Sequence, residues 1–327
     1  MKPLTHRVLR RLADGEFHSG ETIARELGVS RGSVWQAVRE LAAADLDIYK
    51  VRGRGYRLRE ALSLLDANAI RRHLGPHAAR FALEVVDSTG STNTAALQRA
   101  LAGAPDGTVI AAEWQSAGRG RQGRAWHAGL GGALTFSLVR RFSQGAGFLS
   151  GLSLAVGVAI ARACERLGVA DAMLKWPNDV LWHGRKLAGI LIEMQGDALG
   201  PSLAVIGVGV NVRLAPAVRA RIDQAAADLE SACGARLDRS QALALLLVEL
   251  AGVLDLFSRD GFAALRDEWQ RRHAYRDRQV TLTLPDARCE RGIARGVAED
   301  GALLLETGRG VRRCHSGEVS LRAAGTA

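Results

Sequence analysis

Residues 21–41, ETIARELGVSRGSVWQAVREL, leave a folding chain few choices. Ile23, Ala24 and Leu27 recur at helical spacing, and after an interruption Val34, Val38 and Leu41 resume it. Ser19 and Ser30 stand where N-caps start two helices, and Gly28 where a left-handed residue ends the first. An earlier stripe of Val8, Leu9 and Leu12 predicts a third helix, closed by Ala13-Asp14-Gly15. Two helices joined by a tight glycine turn form a helix-turn-helix, whose second helix enters a DNA major groove. Residues 48–58, IYKVRGRGYRL, then read as two short β runs about Gly53-Arg54-Gly55, a wing with a basic tip. On this reading Thr22, Ser30, Arg31, Ser33, Gln36 and Arg39 read base edges or touch phosphates, while Arg52, Arg54 and Arg57 lie along the DNA backbone. The alternative is a three-helix domain used only for protein contacts.

Charge agrees with DNA. The net charge is +10, and the first 60 residues alone hold twelve Lys and Arg against eight Asp and Glu. With 327 residues and 47% apolar content, the chain is long enough for two or three domains with a real core. Cys164, Cys233, Cys289 and Cys314 are scattered and form no C-x-x-C pair, which argues against a zinc site or a disulfide framework and fits a reducing compartment. The start, MKPLTHRVLRRL, turns polar at residues 13–16 and offers no secretory apolar region. The most apolar window, Phe148 to Ile160, is short for a bilayer span and holds serine and glycine. A cytoplasmic protein without a membrane partner is expected.

A second constraint is Glu113 to Trp126, EWQSAGRGRQGRAW. Gly118, Gly120 and Gly123 let backbone approach a ligand, and Arg119, Arg121 and Arg124 between them supply forked donors for carboxylate or phosphate. The letters satisfy G-x-G-x-x-G, but a dinucleotide fingerprint needs a helix straight after the glycines. Here Arg124-Ala125-Trp126-His127-Ala128-Gly129 follows, and no helix starts there. The bland alternative is a solvated basic turn.

Around this loop, β-type and helical runs alternate. Phe81 to Val86, Thr108 to Ala112, Leu134 to Val139, Met173 to Trp176, Leu187 to Met194 and Leu203 to Val210 read as strands; Ala95 to Ala102, Leu149 to Leu167 and Ala242 to Phe257 read as helices. A mixed α/β domain follows from that alternation. Three polar motifs sit at element ends: Ser91-Thr92-Asn93, Lys175-Trp176-Pro177-Asn178-Asp179 with Arg185-Lys186-Leu187-Ala188-Gly189 beyond it, and Gly207-Val208-Gly209-Val210-Asn211. Each alone also reads as a capped helix, a hairpin or a packed strand. From Tyr275 on, short strands (279–284, 292–297, 302–306, 310–314) predict a small β domain.

Taken in order, STN, EWQSAGRGRQGRAW, KWPND, RKLAGILIE and GVGVN closely resemble the biotin protein ligase family, and the N-terminal helix-turn-helix resembles its bifunctional ligase and biotin-operon repressor form. The resemblance runs through Gly317-Glu318-Val319-Ser320-Leu321-Arg322. It implies a multidomain α+β chain: a winged helix-turn-helix over residues 1–62, a linker helix over 63–80, a central ligase domain of the class II synthetase-like biotin/lipoate ligase type over 81–274, and an SH3-like β-barrel over 275–327. It implies ATP-dependent formation of biotinyl-5'-AMP and transfer of biotin to a lysine of a biotin carboxyl carrier protein, with Mg²⁺ alongside ATP. Biotinyl-AMP would be the corepressor, favouring a homodimer on operator DNA. A lipoate or octanoate ligase shares the middle fold but is disfavoured by the GRGRQGRAW loop. A regulator that only senses a ligand is the non-enzymatic alternative.

The same resemblance assigns residues. Ser91, Thr92, Asn93 and Gln115 would meet the biotin head group, with Gly118 to Arg124 closing over the ligand. Arg119, Arg121, Lys175 and Lys186 would be catalytic, Lys186 against the reacting carboxylate. Gly120, Gly189, Leu191, Gly207 and Gly209 would wall the biotin pocket. Arg121, Arg124, Trp126, Lys175, Asn178 and Asn211 would hold the nucleotide, with Asp179 a candidate Mg²⁺ ligand and Glu318 to Arg322 reaching back to ATP. The family pattern has one STN, whereas Ser88-Thr89 precedes Ser91-Thr92-Asn93 here; only the second carries Asn, and which pair lines the site stays open.

Overall fold

The computed structural model describes residues 1–196, 200–284, 288–315 and 320–323. Helices α1 (Pro3–Leu12), α2 (Gly20–Leu27) and α3 (Arg31–Ala43) precede the hairpin of β1 (Ile48–Val51) and β2 (Gly55–Leu58). Ser19 Oγ accepts the Thr22 N–H at 3.0 Å, Ser30 Oγ accepts that of Ser33 at 3.1 Å, and Gly28 ends α2 at φ +67°. The wing gains a third strand position where His18 and Tyr56 exchange backbone bonds of 2.9 Å. Only glycine fits at 55, since a Cβ there would lie 2.0 Å from the His18 carbonyl oxygen. Val8, Leu9, Leu12, Ile23, Val34, Leu41 and Leu58 fill the core of this unit, and Leu130 and Trp114 of the central domain pack onto it. Arg10–Asp87 (2.7 Å), Arg213–Glu60 (2.5 Å) and Arg221–Asp45 tie the same two units together.

Helix α4 (Ala67–Leu74), the expected linker, lies on the central domain, with Leu65, Ile70 and Leu74 inside the main core. That core surrounds a sheet of β3 (Ala82–Thr89), β4 (Thr108–Gln115), β5 (Ala133–Phe142), β6 (Ala172–Lys175), β7 (Asp179–Trp182), β8 (Arg185–Gly196) and β9 (Ser202–Asn211). Its order is β3-β4-β5-β9-β8-β7-β6, and β3–β4 is the parallel pair among antiparallel neighbours. Strand alternation splits the sheet's faces. Ile110, Val139 and Val205 meet α5 (Thr92–Leu101), while Val109, Leu138 and Ile206 face the core shared by α6 (Leu152–Arg166) and the long α9 (Arg239–Asp260). Short helices α7 (Pro216–Arg219) and α8 (Leu229–Cys233) lead into α9, and α10 (Ala263–Arg271) follows it. Residues 146–166 and 239–260 are long and apolar enough to cross a bilayer by composition, which the shorter window read from sequence understated; most of both is buried in this core. The four-residue strand β7 and α10 were not anticipated.

The C-terminal strands β10 (Gln279–Thr283), β11 (Cys289–Val297), β12 (Leu303–Thr307), β13 (Gly310–Cys314) and β14 (Ser320–Ala323) form an antiparallel sheet ordered β13-β12-β11-β10-β14. Its edges are β13 and β14, and among the described residues no ladder joins them into a closed barrel. Val280, Leu282, Val297, Leu303 and Leu305 merge with the main core, and Trp176 Nε1 donates to the Gly301 carbonyl at 3.0 Å. Glu318 and Val319, which begin the stretch to Arg322 expected to reach back to ATP, lie outside the described residues.

Where the two units join, His273 is 3% exposed, tilted on Trp269 at 4.7 Å, and neither ring nitrogen has a hydrogen-bond partner. Burial, with Arg276 adding, pushes its pKa from 6.5 down to about 4. The folded ring is therefore neutral, whereas the unfolded chain takes up a proton below about pH 6.5. Stability falls as pH drops between these values, by about 2 kcal/mol at pH 5. The variant His273→Phe is expected to lose less stability than wild type between pH 7 and 5 in urea titrations. Equal losses would show that His273 carries no such linkage.

Candidate active site

The motifs converge on one cavity of about 400 Å³. Strand β4 delivers Gln115, whose Oε1 accepts the Thr92 N–H at 2.7 Å, a free donor of the first turn of α5. Ser137 Oγ donates to Asn93 Oδ1 at 2.6 Å, while Asn93 Nδ2 donates to Glu193 Oε2 at 2.8 Å and to the Leu191 carbonyl at 3.2 Å. Asn93 is 3% exposed, so these partners fix its carboxamide. Gly207 makes room for it: a Cβ there would lie 2.1 Å from Asn93 Oδ1. Ser91, Thr92, Asn93 and Gln115 line the cavity together with Gly207 and Leu191. Ser88 and Thr89 instead belong to β3, paired with Trp114 and Gln115.

The glycine-arginine loop folds back on itself rather than opening a helix. Trp126 N–H donates to the Gly118 carbonyl at 2.9 Å and Gly120 N–H to that of Arg124 at 2.7 Å. A single 3₁₀ turn spans Arg121–Gly123, with Gln122 at φ +56°. Gly120, Arg121, Arg124 and Trp126 line the cavity, while Gly118 supports the turn from behind, its missing Cβ leaving space beside the Trp126 carbonyl. Trp126 lies over β9 because Gly209 leaves room: a Cβ there would lie 2.5 Å from the indole. Arg119 lines the rim, its guanidinium donating to Thr94 Oγ1 at 2.9 Å and 3.7 Å from Glu193. Burial lowers the pKa of Arg121, nearby Arg124 adds to this, and Asp179 opposes it.

Across the cavity, the β7–β8 hairpin presents Asp179 and Lys186. Lys186 Nζ is 2.8 Å from Asp179 Oδ1 and Lys175 Nζ is 3.9 Å from Asp179 Oδ2, all three side chains being less than a fifth exposed. A register shift between Val180 and Leu181 sets this hairpin. Asn178 Nδ2 donates to the Ile190 carbonyl at 2.8 Å, and Gly189 permits Lys186 and Trp126 to approach, the ammonium lying 5.9 Å from the indole. Asn211 is 3% exposed and donates to the Lys186 and Ala227 carbonyls at 3.3 and 3.0 Å. Its Oδ1 and the indole nitrogen of Trp126 are buried without a protein partner.

The remaining wall was not legible in sequence. Ile222, Asp223, Gln224 and Ala226 line the cavity because residues 225–227 pair with Lys186 as a parallel bridge, through Lys186 N–H to Ala225 O (2.8 Å) and Ala227 N–H to Lys186 O (2.9 Å). Altogether Arg119, Arg121, Arg124, Lys175 and Lys186 border the cavity against two carboxylates, Asp179 and Asp223. Five cations and two anions make a receptor for several negative charges at once.

The residues expected at DNA lie elsewhere, on the winged unit. Arg31, Gln36 and Arg39 are exposed on α3, Arg52 and Arg54 on the wing, while Ser30 is spent capping α3 and Thr22 accepts from Ser19 Oγ at 2.8 Å. Arg54 and Arg57 stack on Phe17 at 4.1 and 5.0 Å.

A mixed sheet with an arginine loop and a lysine hairpin, joined to a winged helix, defines a nucleotide-using ligase fold with a DNA-reading module. Residues 5–57 match a helix-turn-helix domain, 85–211 the biotin/lipoate A/B protein ligase family, and 277–322 the biotin protein ligase C-terminal domain. The bifunctional ligase/repressor BirA of Salmonella typhimurium is 38% identical over 322 residues, 98% of each chain. The biotin–[acetyl-CoA-carboxylase] ligase of Mycobacterium tuberculosis is 37% identical over 250 residues, 75% of this chain and 91% of the other. The Aquifex aeolicus biotin protein ligase solved with biotin and ATP superposes with a TM-score of 0.64 at 27% identity, covering 74% of this chain and 99% of that one. The chain belongs to the biotin protein ligase family, in its bifunctional ligase/repressor form.

Proposed function

We propose that this protein activates biotin with ATP and transfers it to a lysine of a biotin carboxyl carrier protein, and that its winged helix represses transcription with biotinyl-AMP as corepressor. The observation that carries this reading is the lysine pair held by Asp179 opposite the arginine loop in a cavity with more cations than anions. A biotin carboxylate oxygen attacks the α-phosphorus of ATP, and pyrophosphate leaves. The acceptor lysine amine then attacks the acyl carbon, loses a proton, and AMP departs with the bonding electrons. Neither step needs an enzyme nucleophile; both need close approach and neutralised charge.

Lys186 neutralises charge developing between carboxylate and phosphate, and Asp179 holds its ammonium in place. Lys175 and Arg121 bind phosphate oxygens, and Arg119 swings in from the rim when ligand arrives. Ser91, Thr92, Asn93 and Gln115 supply donors and acceptors for the biotin ring, walled by Gly189, Leu191, Gly207 and Gly209. Trp126, Arg124, Asn178 and Asn211 receive the nucleotide, with the buried indole donor and amide acceptor available to a base. Asp179 holds Lys186 at 2.8 Å, and its Oδ1, buried without a hydrogen-bond partner, is an oxygen donor open to a cation that accompanies ATP. Mg²⁺ enters with the ATP phosphates.

The cytoplasm is the working compartment, the carrier belongs to acetyl-CoA carboxylase, and the adenylate-bound chain dimerises on operator DNA. We read the C-terminal sheet as an SH3-like fold whose described strands stay open between β13 and β14. The test combines the full chain with biotin, MgATP and a carrier domain, and follows carrier mass. A gain of one biotin that requires ATP supports the ligase. Biotin binding without any mass gain would leave a ligand-sensing regulator.

Gly207→Ala gives a sharper check on the pocket. The new methyl would displace the Asn93 carboxamide, so the KM for biotin should rise roughly tenfold or more while that for ATP moves little. An unchanged biotin KM would remove Asn93 from the biotin site.

A further inference from the structure

The exposed face of α3 carries a residue that neither the core nor the ligase chemistry uses. Val34, Ala37, Val38 and Leu41 face inward, leaving Arg31, Trp35, Gln36 and Arg39 on the outer side. Trp35 is 42% exposed, one of few large apolar side chains left in water among the described residues. One helical turn on, the Arg39 guanidinium lies 4.7 Å from its ring centroid. That stacking restricts two otherwise mobile side chains, and it leaves the indole edge and the guanidinium fork side by side. Arg31 and the wing arginines Arg52 and Arg54 are exposed on the same unit, so the complementary partner is a polyanion.

We propose that Trp35 and Arg39 act as one reading element, the indole edge seated on a thymine methyl and the guanidinium bidentate on the O6 and N7 of a neighbouring guanine. The chemistry follows from the groove. Thymine is the base that offers a methyl there, and apolar side chains recognise it. Guanine offers two acceptors at the spacing of an arginine fork, and a fork already held over a ring loses less freedom on binding. The proposal rests on the DNA-binding reading above and adds which residues choose the sequence.

The experiment uses the full chain with biotin and MgATP, and selects from a randomised duplex library with wild type, Trp35→Ala and Arg39→Ala. Wild type is expected to enrich a motif containing adjacent T and G in each half-site. Trp35→Ala should lose preference at the T roughly tenfold and weaken the adjacent G, while Arg39→Ala should lose the G. Affinity of Trp35→Ala for a duplex of unrelated sequence, and its salt dependence, should match wild type, because no phosphate contact is removed. An unaltered motif with Trp35→Ala overturns the proposal, as does a uniform loss across all sequences. Enrichment of no motif by wild type would overturn the DNA-binding reading itself, and loss of self-association in Trp35→Ala would make the pair a protein contact instead.

Discussion

Lys186→Ala is expected to slow biotinyl-adenylate formation roughly a hundred- to thousandfold, the scale of losing one preorganised charge-stabilising group. The lysine is held in place by more than its charge. Its backbone is bonded on both sides, to Ala225 and Ala227, and its carbonyl also accepts from Asn211. Its ammonium is fixed 2.8 Å from Asp179 before any ligand arrives. Positioning of this kind lowers the barrier rather than tightening ground-state binding, so kcat should fall far more than KM rises. Lys186→Arg keeps the charge but replaces a compact ammonium with a wide fork, and should recover only part of the rate. Pyrophosphate release with saturating biotin and MgATP, beside a thermal melt of each variant, separates chemistry from folding. A folded Lys186→Ala enzyme within threefold of wild type would end the assignment.

Much of this site was legible because its residues punctuate the chain. Glycines and arginines in residues 118–124 announce a ligand loop from composition alone, and no helix followed them, so the dinucleotide reading failed as the sequence suggested. The caps Ser19 and Ser30 and the stop at Gly28 were readable because each acts within three residues. What sequence could not carry is pairing at a distance. The 2.8 Å approach of Lys186 to Asp179 exists only once the hairpin forms, and the wall at residues 222–226 joins the site through backbone bonds that any residue could make. Helix α4 shows an apolar side in Ile70 and Leu74, but nothing local reveals that α9 covers it.

Arg239→Ala is expected to destabilise the protein by about 3–5 kcal/mol, the usual effect of stripping one partner from a buried ion pair. Arg239 and Glu113 are each 1% exposed side chains, joined at 2.7 Å. The guanidinium also donates to the Ser63 carbonyl at 2.9 Å and the Ala133 carbonyl at 2.6 Å, while Glu113 accepts the Leu65 N–H. One ion pair thus fastens the segment leading out of the winged helix to β4, β5 and the first turn of α9. Truncation strands the Glu113 carboxylate and two carbonyls in a dry interior, where each unsatisfied group carries its own desolvation cost. Adding Glu113→Gln to Arg239→Ala removes the buried charge but not the orphaned carbonyls, so it should restore part of the loss and not all. Glu113 precedes Gln115 by two residues on β4, so both variants should also weaken biotin binding at a temperature where they remain folded. Urea titrations of the three proteins, with biotin titrations beside them, measure both effects. A loss below about 1 kcal/mol in Arg239→Ala would mean that water or a shifted side chain satisfies the pair's neighbours, and the network would not be what holds the ligand strand in place.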